Sequence, residues 1–237
     1  MNSHEISIII AAFNEEENIL PCLESVVSAM PDVDVLVVDG GSDRTTEIAA
    51  GFSKEHPQVR VVRNDDDRGK GHAIQRGIQE ARGNIMAQFD CDLQFLASDL
   101  PAMLTPLLDD SADVVVGSRF LPAANRDAYK PVFFRDVGNR LLSGLVSLLA
   151  GQKVTDVTTG MKAWTRSAIE TIDFTDERYS YEAEIVLKAC RRNLRLIEIP
   201  VEYCSRHKGA SMHRSTGALI RAGLTIGFNC IRWRWRS

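Results

Sequence analysis

Over its first half this chain alternates short, unbroken apolar runs with amphipathic helical stretches. Apolar runs without polar alternation predict strands buried on both faces, the condition of a parallel sheet covered by helices. Residues 6–11, 33–38, 59–62, 85–89 and 113–117 read as such strands. Between them, residues 45–52, 70–81 and 99–108 read as helices. A further helix is expected to start at Asn14 as N-cap, with Glu15, Glu16 and Glu17 in its first turn, where the helix dipole favours them. The expected fold class is α/β, a doubly wound and mostly parallel sheet. Ligand-binding loops in such sheets lie beyond the carboxyl ends of the strands.

After Arg119 the pattern changes. Residues 121–131 form a polar, proline-containing loop long enough to act as a lid, and residues 137–150 and 181–190 read as helices. Residues 195–203, with Pro200, read as an edge strand, residues 205–215 as a polar and basic loop, and the tail from Thr216 as a helix. The organisation expected is a domain over residues 1–215 followed by an amphipathic helix over 216–237, able to lie on a membrane. Alternating Trp and Arg near its end, at Arg232, Trp233, Arg234, Trp235 and Arg236, suits a membrane–water interface. The competing expectation is a helix docked on the domain with a charged fringe.

Charge is unevenly distributed. The net charge is −4, yet from Arg191 onward ten Lys/Arg stand against Glu198 and Glu202. A basic tail on an acidic body suits a polyanionic partner. Nucleic acid is disfavoured, because the tail lacks a reading module. The five cysteines have no metal-ligand spacing and suggest a reduced, cytoplasmic protein. The start has no basic n-region, so no signal peptide is expected, and no run reaches the roughly 20 apolar residues of a spanning helix.

The chemistry-bearing residues fall in the predicted loops. Asp90, Cys91, Asp92, Leu93 and Gln94 follow the fourth apolar run. They place Asp90, Asp92 and Gln94 at alternate positions of an extended segment where the strand runs out, so the three are expected to point to one side and offer three oxygens to Mg²⁺ or Mn²⁺. Ala11, Phe13, Asn14 and Glu15 at the mouth of the first strand, with Asp39 at the mouth of the second, offer an aromatic face and carboxylates to a nucleoside. Arg68 and Lys70 flank Gly69 at a helix start whose free N–H groups would favour a pyrophosphate. Arg119, Arg135 and Arg206 are loop-borne arginines suited to a phosphate. Glu182 and Glu184 open a helix two residues apart, so at most one can face a given site.

Taken in order, these segments resemble the inverting family 2 glycosyltransferases of the GT-A fold, especially the dolichyl-phosphate mannosyltransferase and polyprenyl-phosphate glycosyltransferase branch. The family's P-x-Y-N-E loop corresponds to Ala11–Glu15 and its D-x-D-L-Q motif to Asp90–Gln94. The G-S-R element is Gly117-Ser118-Arg119, R-x-x-G-N runs from Arg135 to Asn139, and D-x-T-x-G from Asp156 to Gly160. The aromatic-E-x-E helix starts at Tyr181, and R-x-x-G-x-S spans Arg206 to Ser211. Ala11 stands for the usual proline, Phe13 for tyrosine, Gly40 for a second aspartate and Met212 for a lysine.

The resemblance implies transfer of a hexose from GDP-mannose or a UDP-sugar to a polyprenyl or dolichyl phosphate, on the cytoplasmic face of a membrane. Asp90, Asp92 and Gln94 would hold the metal. Ala11, Phe13, Asn14, Glu15, Asp39, Arg68, Lys70, Asp90, Cys91, Asp92 and Gln94 would line the donor site. Arg119, Arg135, Arg206 and Ser211 would grip the acceptor phosphate, with Asp92 and the three arginines carrying catalysis. Three alternatives stand beside this one. Transfer to a sugar hydroxyl would need Glu182 or Glu184 as base; the other two are a nucleotidyltransferase and a non-catalytic nucleotide-sugar-binding module.

Overall fold

The computed structural model describes residues 5–124, 133–205 and 216–234, with Phe133, Phe134, Arg135, Thr216 and Leu219 described by backbone alone. The first half alternates as expected: β1 (Ile6–Ala12), α1 (Ile19–Ala29), β2 (Asp34–Asp39), α2 (Thr45–Phe52), β3 (Val59–Arg63), α3 (Lys70–Glu80), β4 (Ile85–Gln88), α4 (Leu100–Leu108) and β5 (Val114–Ser118). The second half adds α5 (Phe133–Ala150), β6 (Lys162–Thr165), α6 (Arg166–Ile172), α7 (Tyr181–Arg191), β7 (Leu196–Pro200) and α8 (Thr216–Arg234). Most of the proposed lid lies outside the described residues.

Seven strands form one sheet in the order β3-β2-β1-β4-β6-β5-β7. All pairings are parallel except those of β6, which runs antiparallel between β4 and β5. β1 shows why the apolar runs are unbroken. Ile8 and Ile10 pack into the core on one face of the sheet while Ile9 packs into the core on the other. Val35 and Val37 on β2 alternate in the same way with Leu36 and Val38. β7, with Pro200 at its end, is an edge strand as expected, which leaves the missing N–H without a ladder partner to disappoint.

Two short elements escaped the sequence reading, β6 and α6. β6 has four residues, and its run Lys162-Ala163-Trp164-Thr165 begins with a fully buried lysine, a residue that ordinarily argues against a central strand. α6 has seven residues, capped by Thr165 Oγ1 accepting from the Ala168 N–H at 3.2 Å. The antiparallel sense of β6 matters for the site. Its start lies at the same sheet edge as the ends of β1, β4 and β5, so the loop from Asp156 to Gly160 joins theirs.

Asn14 does not cap a helix. It has φ of 56°, in the left-handed region that asparagine tolerates, and its Oδ1 accepts from the Ser42 N–H at 2.8 Å. α1 starts five residues later, at Ile19. Asn14 therefore ties the loop after β1 to the loop after β2. Gly41 permits that approach, because a Cβ there would lie 2.5 Å from the Asn14 nitrogen.

Candidate active site

The loops at the strand ends open into a cavity of about 1220 Å³. Ala11, Phe13, Asn14, Glu15, Lys70, Asp90, Cys91, Asp92, Gln94, Arg119 and Glu182 all line it. Its polar floor is built where α3, the loop after β4 and α7 meet. Lys70 Nζ lies 2.8 Å from Asp90 Oδ1 and 2.9 Å from Glu182 Oε1. Burial acts to lower the Lys70 pKa, but Asp90 and Glu182 outweigh it and hold the ammonium well above its ordinary range.

The glycines around Lys70 serve packing more than phosphate. The Gly71 and His72 N–H groups donate to Arg178 O at 3.0 Å and Glu177 O at 2.9 Å. A Cβ on Gly71 would stand 2.3 Å from Asp176 O, and Gly69 has φ of +134°. The expectation of free N–H groups at this helix start is therefore corrected at Gly71 and His72: the start of α3 is sealed against the loop before α7, and that docking brings Lys70 to Glu182. Arg68 turns to Glu177, at 2.6 Å, and does not line the cavity.

Asp39 is also differently placed from the expectation. It is fully buried, its Oδ1 accepting from the Gly41 N–H at 2.8 Å and its Oδ2 from Thr46 Oγ1 at 2.6 Å and Arg63 at 3.1 Å. Both oxygens hold the turn together, and Asp39 does not line the cavity.

The acidic motif is a turn and not a strand tip. β4 ends at Gln88, and Leu93 takes φ of 59°. The alternation that would align Asp90, Asp92 and Gln94 is therefore broken. Gln94 is buried and donates its Nε2 to Cys204 O at 3.2 Å, while its backbone N–H donates to Asp92 Oδ1 at the same distance. Among the described residues no three His, Cys, Asp or Glu form a ready metal cage. Two cavity-lining carboxylates still fit a hard cation that completes its shell with waters and substrate phosphates. Asp90 is closely confined: a Cβ on Gly160 would fall 1.8 Å from its Oδ2.

Arg119 lines the cavity, but its fork is occupied. Its Nε and Nη2 donate to Asp156 at 2.6 and 2.8 Å, and Nη2 also reaches Thr158 Oγ1 at 3.2 Å. Burial would lower its pKa, and Asp156 raises it. Its guanidinium lies 5.0 Å from the centre of the Tyr203 ring. Arg206 and Ser211 lie outside the described residues, as does the side chain of Arg135.

The two helix-start glutamates part company. Glu182 faces Lys70, whereas Glu184 is fully buried and accepts from the Thr175 and Asp176 N–H groups at 3.1 and 2.8 Å. Glu184 also pairs with Lys188 at 2.7 Å. Only Glu182 belongs to the site, as the spacing required. Two further buried polar groups beneath the floor escaped the sequence reading. Gln88 accepts from Tyr181 Oη at 3.2 Å, and Lys162 donates to Thr159 O. Burial drives the Lys162 pKa down to about 8, against the pull of Glu182 and Asp156. A lone lysine or glutamine inside an apolar run was the available signal.

The opposite wall is apolar. α8 packs on α5 and α7 through Ile226, Cys230 and Trp233. Its other face leaves Ile220, Leu224, Phe228 and Ile231 exposed, and α5 leaves Val137, Leu141 and Leu148 exposed. Leu141, Ile220, Leu224, Phe228 and Ile231 all line the cavity. Among the described residues no helix is long and apolar enough to cross a membrane.

A mostly parallel sheet with one antiparallel insertion, and a cavity at its carboxyl edge with a D-x-D turn, define a GT-A fold. The chain matches glycosyl transferase family 2 over residues 7–173 and belongs to that family. It is 30% identical over 211 residues to the low-salt glycan biosynthesis hexosyltransferase Agl6 of Haloferax volcanii, covering 87% of this chain and 49% of that protein. It is 26% identical over 234 residues to the dolichol-phosphate mannosyltransferase of Pyrococcus furiosus, covering 97% of this chain and 64% of that one. The chain thus spans about half of the first relative and under two thirds of the second. Glucosyl-3-phosphoglycerate synthase of Mycobacterium tuberculosis, crystallised with Mn²⁺ and uridine diphosphate, shares the fold with a TM-score of 0.75 at 20% identity, over 96% of this chain and 80% of that chain.

Proposed function

We propose that the protein transfers a hexose from a nucleotide-diphosphate sugar, GDP-mannose or a UDP-sugar, to a polyprenyl phosphate at a membrane surface on the cytoplasmic side. The observation that carries this reading is the cavity's two-sided character. A charged floor of Lys70, Asp90, Asp92 and Glu182 faces a wall of exposed apolar side chains from α5 and α8. A sugar diphosphate suits the floor, and a phosphate with a hydrocarbon tail suits the junction of floor and wall. The dolichol-phosphate relative in Pyrococcus supports the acceptor class.

Asp90 and Asp92, with Gln94 beside them, are the residues that would hold Mg²⁺ or Mn²⁺, as the Mn²⁺ in the mycobacterial neighbour supports. When bound, the ion neutralises charge on the departing nucleotide diphosphate. Phe13, half exposed, offers a face for the base, and Glu15 an acceptor for the nucleoside. Arg135, Arg206 and Ser211 are assigned to the acceptor phosphate. A phosphate monoester is already anionic near neutral pH, so its attack on the anomeric carbon needs no strong base. Positioning and charge stabilisation then carry the rate. The residues 216–237 act as a peripheral membrane helix following the catalytic domain at 1–215.

Transfer to a hydroxyl would ask Glu182 to act as base. Its Oε1 already accepts from Lys70 Nζ at 2.9 Å, so that oxygen is engaged before any acceptor hydroxyl arrives. The test is a donor screen by mass spectrometry with Mn²⁺ or Mg²⁺ and a short polyprenyl phosphate. A glycosylated lipid phosphate is expected with wild type and absent with Asp92→Ala. Turnover of hydroxyl acceptors alone, or full activity in Asp92→Ala, would refute the proposal.

A further inference from the structure

We propose that Lys70 is a built-in counter-ion: in the donor-free protein its ammonium takes the position beside Asp90 that a divalent cation needs, and it gives way only when a diphosphate arrives with the metal. The inference rests on the metal-dependent reading above. Its basis is a contact among three segments distant in sequence. Lys70 Nζ bridges Asp90 Oδ1 at 2.8 Å and Glu182 Oε1 at 2.9 Å. Lys70 and Asp90 are each 21% exposed at the side chain and Glu182 is 9% exposed, so the charges interact with little screening.

The surroundings fix the contact from both sides. Gly69 and Gly71 let the start of α3 press against the backbone of Asp176, Glu177 and Arg178, which sets where Lys70 leaves the helix. Gly160 crowds the far side of the Asp90 carboxylate. A free Mn²⁺ approaching Asp90 therefore meets an ammonium within hydrogen-bond distance of the same oxygen. It must overcome like-charge repulsion and also break the Lys70–Asp90 pair. A nucleotide diphosphate changes both conditions at once. It supplies the cation with further oxygen ligands, and it offers the lysine another anion within reach of its flexible four-carbon stem. Metal and nucleotide consequently bind as a coupled pair, each weak alone.

The experiment titrates the full chain with Mn²⁺ alone, following free Mn²⁺ by electron paramagnetic resonance, and repeats the titration with saturating UDP or GDP. Wild type is expected to bind Mn²⁺ weakly without nucleotide. Lys70→Met should bind Mn²⁺ alone about tenfold tighter or more, with a smaller gain on adding nucleotide, while Lys70→Arg stays weak. If Asp90 and Glu182 facing each other unfold Lys70→Met, the double variant Lys70→Met/Glu182→Gln restores the charge balance and allows the same comparison. Equal Mn²⁺ affinity in wild type and in the foldable charge-removed variant, with nucleotide-assisted uptake intact, overturns the role of Lys70 and spares the metal reading. No Mn²⁺ uptake by any of these proteins, even with nucleotide, overturns the metal reading and this inference with it.

Discussion

Arg119 and Asp156 face each other through two parallel hydrogen bonds, Nε to Oδ2 at 2.6 Å and Nη2 to Oδ1 at 2.8 Å, with both side chains buried. Removing one partner strands the other charge. Arg119→Ala is expected to cost about 3–5 kcal/mol of stability, measured by urea unfolding. The diagnostic variant is Arg119→Lys, which keeps the charge and loses the fork. If it unfolds like wild type but raises the acceptor KM, Arg119 grips the acceptor phosphate, and the bidentate pair is secondary.

Glu182 and Glu184 should separate cleanly in mutagenesis. Glu184→Ala removes the acceptor for two backbone N–H groups and the partner of Lys188. A loss of roughly 2–4 kcal/mol is expected. Glu182→Gln should fold normally and retain transfer to a phosphate acceptor. Thermal unfolding and transfer assays on the two variants check this, and a stable Glu184→Ala protein would contradict the structural role of its carboxylate.

Gly71 should tolerate no side chain. Gly71→Ala places a methyl 2.3 Å from Asp176 O, which forces α3 away from the loop before α7. Because backbone is the obstacle, relaxation is costly. We expect about 1–3 kcal/mol of destabilisation, together with weaker nucleotide binding by calorimetry as Lys70 is displaced. Gly51→Ala, in α2, meets nothing within 4 Å and serves as the control.

Lys162 predicts an alkaline rise in its own stability contribution. Its folded pKa of about 8 lies below the ordinary lysine value of 10.5 because burial disfavours the ammonium. Between those values the unfolded chain binds more protons than the folded one, so stability rises with pH. Relative to Lys162→Met, wild type should gain up to roughly 3 kcal/mol from pH 8 to 10.5. Denaturant unfolding of both proteins across that window checks the sign; a flat difference would show that Lys162 is not so depressed.

The apolar face of α5 and α8 should bind lipid surfaces. Leu224 and Phe228 are 70% and 66% exposed, with Arg221 and Arg232 exposed on the same helix. Co-sedimentation with anionic phospholipid vesicles is expected to fall about tenfold in Leu224→Glu/Phe228→Glu, and to weaken with salt. Equal retention of variant and wild type would remove the membrane reading.

The strands of the first half were legible because burial on both faces writes itself as unbroken apolar runs, as in Ile8, Ile9 and Ile10. The loops at their ends were legible as places, less so as geometry. Asp90 and Lys70 each carried a signal, but their contact depends on glycines pressing backbone to backbone, which no local pattern records. The structural partners of Asp39 and Arg119 were not legible, because charge in a loop usually faces solvent; Asp39 lies off the cavity while Arg119 lines it. Here Thr46 with Arg63, and Asp156, take up their hydrogen bonds. β6 was hidden by its brevity and by Lys162, whose burial carboxylates from elsewhere in the chain offset only in part.

The position of β6 has a consequence for biogenesis. β4 and β5 do not pair with each other; each bonds to β6, whose residues come 44 or more positions after Ser118. A ribosome that has released only the first five strands has therefore delivered two with open hydrogen-bonding edges in the middle of the future sheet. Until Lys162–Thr165 emerges to zip them together, that gap is adhesive to other chains. Premature termination before this point should yield inclusion bodies more readily than loss of the final helix.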